Sequence, residues 1–132
     1  MAASVLIADD DPNIVLALRF LMEKEGYRVS IATDGEAALA DVMSLRPSLV
    51  LLDAMMPRRN GFEVCAAIRA NPDLAATRVV MLTAKGLARE RKLGFQAGAD
   101  EYVTKPFANQ DVLQLVRRLV PLAAGTPEAG GA

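Results

Sequence analysis

Apolar and polar positions along this chain alternate five times between a short greasy run and a longer stretch whose apolar residues recur at helical spacing. Val5 to Ala8, Leu49 to Leu52 and Val79 to Leu82 are nearly continuous apolar runs, the pattern of parallel strands covered on both faces. Tyr27-Arg28-Val29-Ser30-Ile31 alternates apolar with polar, and Glu101-Tyr102-Val103-Thr104 is mixed, as edge strands with one wetter face would be. Asp11 before Pro12 predicts an N-cap with proline in the first helical position. Ile14, Leu18, Leu21 and Met22 then line one helix face until Gly26 closes it. A second helix follows Asp34 and stops before Pro47. A third starts at Asn60, its cap supported by Glu63, and ends before Pro72. A thin stripe from about Leu87 to Ala97, interrupted by Gly94, predicts the fourth helix. Val112, Leu115, Val116 and Leu119 predict the buried stripe of the fifth, which Pro121 ends.

Five β-α units with right-handed crossovers, and edges at the second and fifth strands, give an α/β fold. The pattern is a flavodoxin-like, doubly wound (βα)5 arrangement, a five-stranded parallel sheet in the order 2-1-3-4-5. The switch point lies between strands one and three. Asp9 and Asp10 follow the first of these and Asp53 ends the second, so three carboxylates separated in sequence should meet in one crevice. With 132 residues and 52% hydrophobic content the chain suits one domain with a real core, over residues 1–121. Residues 122–132, rich in Ala, Gly and Pro, read as a tail or linker stub.

Composition removes several classes of function. A formal net charge of -1 leaves no electrostatic footprint for nucleic acid, and no basic amphipathic stretch or long apolar run argues for a membrane. Cys65 is the single cysteine, so no internal disulfide can form, and acidic residues at positions 9 to 11 do not suit a signal peptide; the expected compartment is the cytoplasm. There is no histidine, which excludes a histidine nucleophile, histidine acid-base catalysis and histidine metal ligation within the chain.

The remaining chemistry is that of oxygen donors and one ammonium. Carboxylates held together repel unless a cation neutralises them, and an all-oxygen site that keeps several waters suits magnesium better than zinc or copper. Asp11 is taken up by the helix cap. Asp53 ends the most apolar strand and is followed by Ala54-Met55-Met56-Pro57, unlike an ordinary turn aspartate, whose neighbours are usually polar too. Lys105 after the fifth strand offers a compact charge for phosphate oxygens, and Thr83 after the fourth a hydroxyl donor. Three carboxylates and a lysine at one sheet edge make a metal-assisted phosphoryl-acceptor site. The plain readings go to Met43, Met56 and Met81 as core filler, to Cys65 as a small buried hydrophobe, and to Arg58-Arg59 as a solvated turn rather than a phosphate clamp.

An acidic pair, then Asp53 with Met56-Pro57 and Gly61, Thr83-Ala84, and Lys105-Pro106-Phe107, at these intervals, resembles the receiver domain of two-component response regulators over about Ser4 to Leu119. The resemblance implies that Asp53 is the phosphoacceptor. Asp10 would be a direct ligand of Mg2+, Asp9 an indirect one through water, and the Met55 backbone carbonyl a further ligand. It implies that Thr83 binds a phosphoryl oxygen and moves inward, that Lys105 pairs with the same group, and that Tyr102 is the aromatic switch. It further implies a cis Lys105-Pro106 bond, Ala84 as the small residue that keeps the pocket open, and Met55 and Lys85 as variable positions flanking it. The implied partners are a histidine kinase or histidine phosphotransfer protein as donor and a downstream protein target. The implied activity is signalling by phosphorylation rather than enzyme turnover. The chain reads as a stand-alone regulator or a receiver cut from a longer protein; a scaffold that works without phosphorylation is disfavoured by the intact acidic site. An aspartyl-phosphate hydrolase like the haloacid dehalogenase-type phosphatases is disfavoured, since no cap-sized insertion is present and Asp53 would lose its role. A flavodoxin-like cofactor binder is disfavoured by the acidic triplet where a phosphate loop would be.

Overall fold

The computed structural model describes residues 3–84 and 88–122. Strands β1 (Ser4–Ala8), β2 (Arg28–Ala32), β3 (Leu49–Asp53), β4 (Arg78–Ala84) and β5 (Glu101–Lys105) form one parallel sheet in the order β2-β1-β3-β4-β5, as the sequence predicts. The helices are α1 (Pro12–Glu25), α2 (Gly35–Leu45), α3 (Gly61–Ala70), α4 (Ala88–Ala97) and α5 (Asn109–Leu119), with a 3-10 turn at Pro72–Leu74. Leu87, Lys85 and the segment 123–132 lie outside the described residues, and nothing of the Ala84 side chain is described. No described helix is long and apolar enough to cross a membrane.

Strand periodicity divides the core into two layers. Leu6, Val50, Leu52, Val79 and Met81 point to the side covered by α2 and α3, through Ala38, Val42, Val64, Cys65 and Ile68. Val5, Ile7, Leu49, Leu51, Val80 and Leu82 point to the side covered by α1 and α5, through Leu18, Met22, Val112, Leu113 and Val116. Every position of β3 is buried, which is why it reads as unbroken greasy sequence; each such leucine contributes about 1.5–3 kcal/mol by leaving water.

Helix ends follow the polar punctuation. Asp11 Oδ1 accepts from the Asn13 amide at 2.9 Å, and Asp34 Oδ1 from the Ala37 amide at 2.8 Å. Asn60 and Glu63 form a reciprocal capping box, at 2.9 and 3.1 Å. Gly26 ends α1 in the left-handed region, φ 111°.

Three expectations change. Met43 is exposed rather than core filler, because it follows the inward-facing Val42 and points off the packed side of α2; Met56 and Met81 are buried. The inward face of α5 is Val112, Leu113 and Val116, with Leu115 and Leu119 at its margin, a stripe rotated toward Leu113. Tyr27 precedes β2 instead of opening it. Its ring is buried and its hydroxyl donates to the Val120 carbonyl at 2.8 Å, tying the α1–β2 turn to the end of α5.

At the pole carrying the amino ends of the strands, one guanidinium joins three segments. Arg69 Nε donates to the Gly98 carbonyl at 2.8 Å, Nη1 to the Thr77 carbonyl at 2.8 Å and Nη2 to Asp100 at 2.6 Å, while Asp100 also accepts from the Val79 amide at 2.8 Å.

Cys65 is sealed on the buried face of α3, and burial pushes its thiol up to about 11, so the nucleophilic thiolate is scarce at neutral pH. An alkylating thiol reagent at pH 8 is expected to label the folded protein at least a hundredfold more slowly than the protein in denaturant, as mass spectrometry would register. Comparable rates would contradict the burial.

Candidate functional site

Register alone brings the candidate residues to one edge. Ala8 pairs with Leu52, so Asp9 and Asp53 fall in the same row one step further on, and Ala84 pairs with Lys105 at the far side of β4. Alternation then selects the face. Asp9 follows Ala8 and Asp53 follows Leu52, both on the α2/α3 side, while Lys105 lies two beyond Val103 on the α1/α5 side. All three therefore share the α1/α5 parity at the carboxyl ends of their strands. Lys105 Nζ stands 2.9 Å from Asp9 Oδ2 and 3.4 Å from Asp53 Oδ1.

The acids are held by backbone as well. Asp9 is wholly buried; its Oδ1 accepts from the Asp11 amide at 2.9 Å, and its own amide donates to the Ala32 carbonyl at 3.1 Å. Asp53 is 7% exposed, and its Oδ1 accepts from the Met55 amide at 3.2 Å. Asp10 stands exposed at the rim. Carboxylate oxygens of Asp9, Asp10 and Asp53 all lie within 4.8 Å of one another, a span one hard cation can bridge. No imidazole or thiolate donor competes, since the chain has no histidine and Cys65 is buried on the inner face of α3.

Electrostatics state the same need. Burial raises the Asp53 carboxyl above the usual carboxylate range; the Met55 amide opposes this, the Asp9 charge adds to it, and Lys105 pulls the other way. Burial works to lower the Lys105 ammonium, yet the hydrogen bond to Asp9 and the charges of Asp53 and Asp9 outweigh it, and its value rises. Among the described residues, three carboxylates against one ammonium leave two formal negative charges at the site. A divalent cation would neutralise that remainder.

The family profile of the response regulator receiver domain matches residues 5–117. The chain belongs to this family. It is 40% identical over 122 residues to the transcriptional regulatory protein ResD of Bacillus subtilis (strain 168), covering 92% of this chain and 50% of ResD. It is 41% identical over 117 residues to the DNA-binding response regulator MtrA of Mycolicibacterium smegmatis, covering 89% of this chain and 50% of MtrA. This receiver chain thus spans about half the length of the curated relatives it matches. The structure of the chemotaxis response regulator CheY4 of Vibrio cholerae superposes with a TM-score of 0.85 at 30% identity, over 91% of this chain and 100% of that one.

The other residues singled out in the sequence take these places. Thr83 is buried at the end of β4, and its hydroxyl donates to the Val103 carbonyl at 3.5 Å rather than to an acid-site oxygen. Tyr102 is half-buried on β5 with its ring edge-on to Phe95, centroids 5.3 Å apart. The Lys105-Pro106 bond is cis. Arg58 and Arg59 are exposed; Arg58 pairs with Asp34 and Glu36 at 3.5 and 3.6 Å, as a solvated turn would. Sequence reasoning missed the direct Lys105–Asp9 pair, although strand parity carries the signal: both residues sit just past a strand whose phase is already fixed by its buried positions.

Proposed function

We propose that this receiver domain is a magnesium-dependent phosphoacceptor switch in which Asp53 takes a phosphoryl group from the phosphohistidine of a partner kinase or phosphotransfer protein. The observation that carries it is the meeting of the Asp9, Asp10 and Asp53 carboxylates beside Lys105. Asp10, Asp53 and the Met55 carbonyl would hold Mg2+ directly, with Asp9 acting through water; when bound, the ion neutralises the acids and offsets charge on the phosphoryl oxygens. In the transfer an Asp53 oxygen forms the new bond to phosphorus while the bond from phosphorus to the partner's imidazole nitrogen breaks. Lys105, already between the two buried acids, pairs with the transferred oxygens, and the Met55 amide steadies the aspartyl group.

The product adds roughly two negative charges and three acceptor oxygens at a crowded edge. Thr83 then exchanges its weak bond to Val103 for one to the phosphoryl group, and Tyr102 follows it inward. The shift in population is read by a downstream protein on α4, β5 and α5. With a formal charge of -1, this domain itself makes no direct contact with nucleic acid. Identity to regulators twice as long favours a second version of the same reading, in which the domain is the receiver part of a longer protein.

Intact mass after incubation with acetyl phosphate and MgCl2 is expected to rise by one phosphoryl group per chain, and chelation by EDTA to cut that gain at least tenfold. An unchanged mass with both this donor and phosphorylated kinases would overturn the assignment.

A further inference from the structure

The backbone that carries Met55 is shaped by a segment holding no site residue. The junction of β2 and α2, from Ala32 at the strand's end to Glu36 in the helix's first turn, meets both halves of the acidic site from behind. Its Ala32 carbonyl accepts from the Asp9 amide at 3.1 Å, which fixes where β1 delivers its acid. On the other half, the amides of Gly35 and Arg59 both donate to the Pro57 carbonyl, at 3.2 and 2.8 Å, folding the loop 54–60 onto the first turn of α2.

The approach is close enough that only glycine fits. A Cβ on Gly35 would fall onto the Arg59 carbonyl oxygen and stand 2.7 Å from the carbonyl carbon. These are main-chain atoms, so the overlap cannot be relieved by a side chain swinging away; the loop itself has to move. Arg58, at φ 71°, reaches over the same turn to Asp34 and Glu36, contacts too exposed to add much energy but consistent in direction. At the loop's far end the Gly61 amide donates to the Ala54 carbonyl at 2.8 Å, and a Cβ on Gly61 would meet the Asp53 carbonyl oxygen. The loop is therefore gripped at both ends, with Met55 between the grips.

We propose that Gly35 is a positioning residue of the acidic site: its bare Cα sets the height of the loop 54–60, and with it the placing of the Met55 backbone beside Asp53. The β2–α2 junction thereby governs divalent-cation affinity without supplying a ligand. This rests on the magnesium-dependent reading above.

Calorimetric titration of MgCl2 into wild type, Gly35→Ala and Gly98→Ala tests it. Gly98, at φ +102° beside the Arg69 side chain, lies at the opposite pole, so alanine there strains the fold without touching the loop. Gly35→Ala is expected to bind Mg2+ at least tenfold more weakly than wild type, and Gly98→Ala within twofold of it, both folded by circular dichroism. Equal affinity in Gly35→Ala and wild type, or an equal loss in the two variants, overturns the proposal. A wild type without affinity for Mg2+ would instead remove the magnesium reading beneath it. If Gly35→Ala fails to fold, amide exchange of wild type decides: saturating Mg2+ should slow Gly35 at least threefold along with Met55, and slowing at Met55 alone overturns the proposal.

Discussion

Asp53→Asn is expected to take up no phosphoryl group from acetyl phosphate or a phosphorylated kinase under conditions where wild type gains one, a loss limited only by detection. The amide keeps the size of the side chain and can still accept from the Met55 amide, which now lies 3.2 Å from Oδ1, but it offers no anionic oxygen to phosphorus. The same change should leave a sound fold. Asp53 is a nearly buried carboxylate facing a second, wholly buried one, and burial together with Asp9 raises its proton affinity. A carboxyl raised in the folded state loses stability as pH climbs from its unfolded value through its folded one, and the deficit persists at neutral pH. A neutral amide avoids that deficit, so the metal-free variant should melt a few degrees higher than wild type, about 1 kcal/mol. Intact mass and thermal melting in EDTA check both halves. Equal labelling of variant and wild type would move the acceptor elsewhere, and an unfolded variant would void the comparison of charge.

Lys105→Ala should separate metal binding from response. Among the described residues the Lys105 ammonium is the cation paired with the buried acids, 2.9 Å from Asp9 and 3.4 Å from Asp53, so deleting it removes their described counter-charge. Without metal the variant should lose about 2 kcal/mol of stability, below the roughly 3–5 kcal/mol that breaking a fully buried pair costs, because the Lys105 side chain is 21% exposed. Mg2+ affinity should equal or exceed that of wild type, because a competing positive charge has gone while every carboxylate remains. Added Mg2+ should therefore raise the melting temperature of the variant more than that of wild type. Phosphoryl uptake should slow by about 10²-fold, the loss expected when a donor aimed at developing charge is removed, and the shift of the Tyr102 ring resonances should disappear. Melting with and without Mg2+, uptake kinetics and NMR of the tyrosine rings measure these. A variant with a full Tyr102 response would deny Lys105 its part.

Much of this is legible in the sequence. β1, β3 and β4 are buried on both faces, so their greasy runs needed no context, and the caps at Asp11, Asp34 and Asn60 follow from side chains whose hydrogen bonds are local. The convergence of Asp9, Asp10 and Asp53 followed from strand order, since a switch point leaves few other places for those residues. What the sequence concealed depends on rotation and on distance between backbones. Whether Leu113 or Leu115 is the more buried on α5 is set by how the helix rolls on the sheet, which helical periodicity does not encode, and the exposure of Met43 turns on the same rotation in α2. Gly35 looked like a helix start, and nothing in its neighbours revealed that the Arg59 carbonyl would rest against it.

The Arg69 guanidinium fastens the Gly98 carbonyl after α4 to Thr77 and Asp100, the residues just before β4 and β5. One side chain thus fastens the end of α4 to the end of α3 and to the approaches of two strands. For α4, pinned at Gly98, the cheapest displacement is a swing about its last turn, so the lever arm is longest at the end nearest the acids and shortest where the helix meets Arg69.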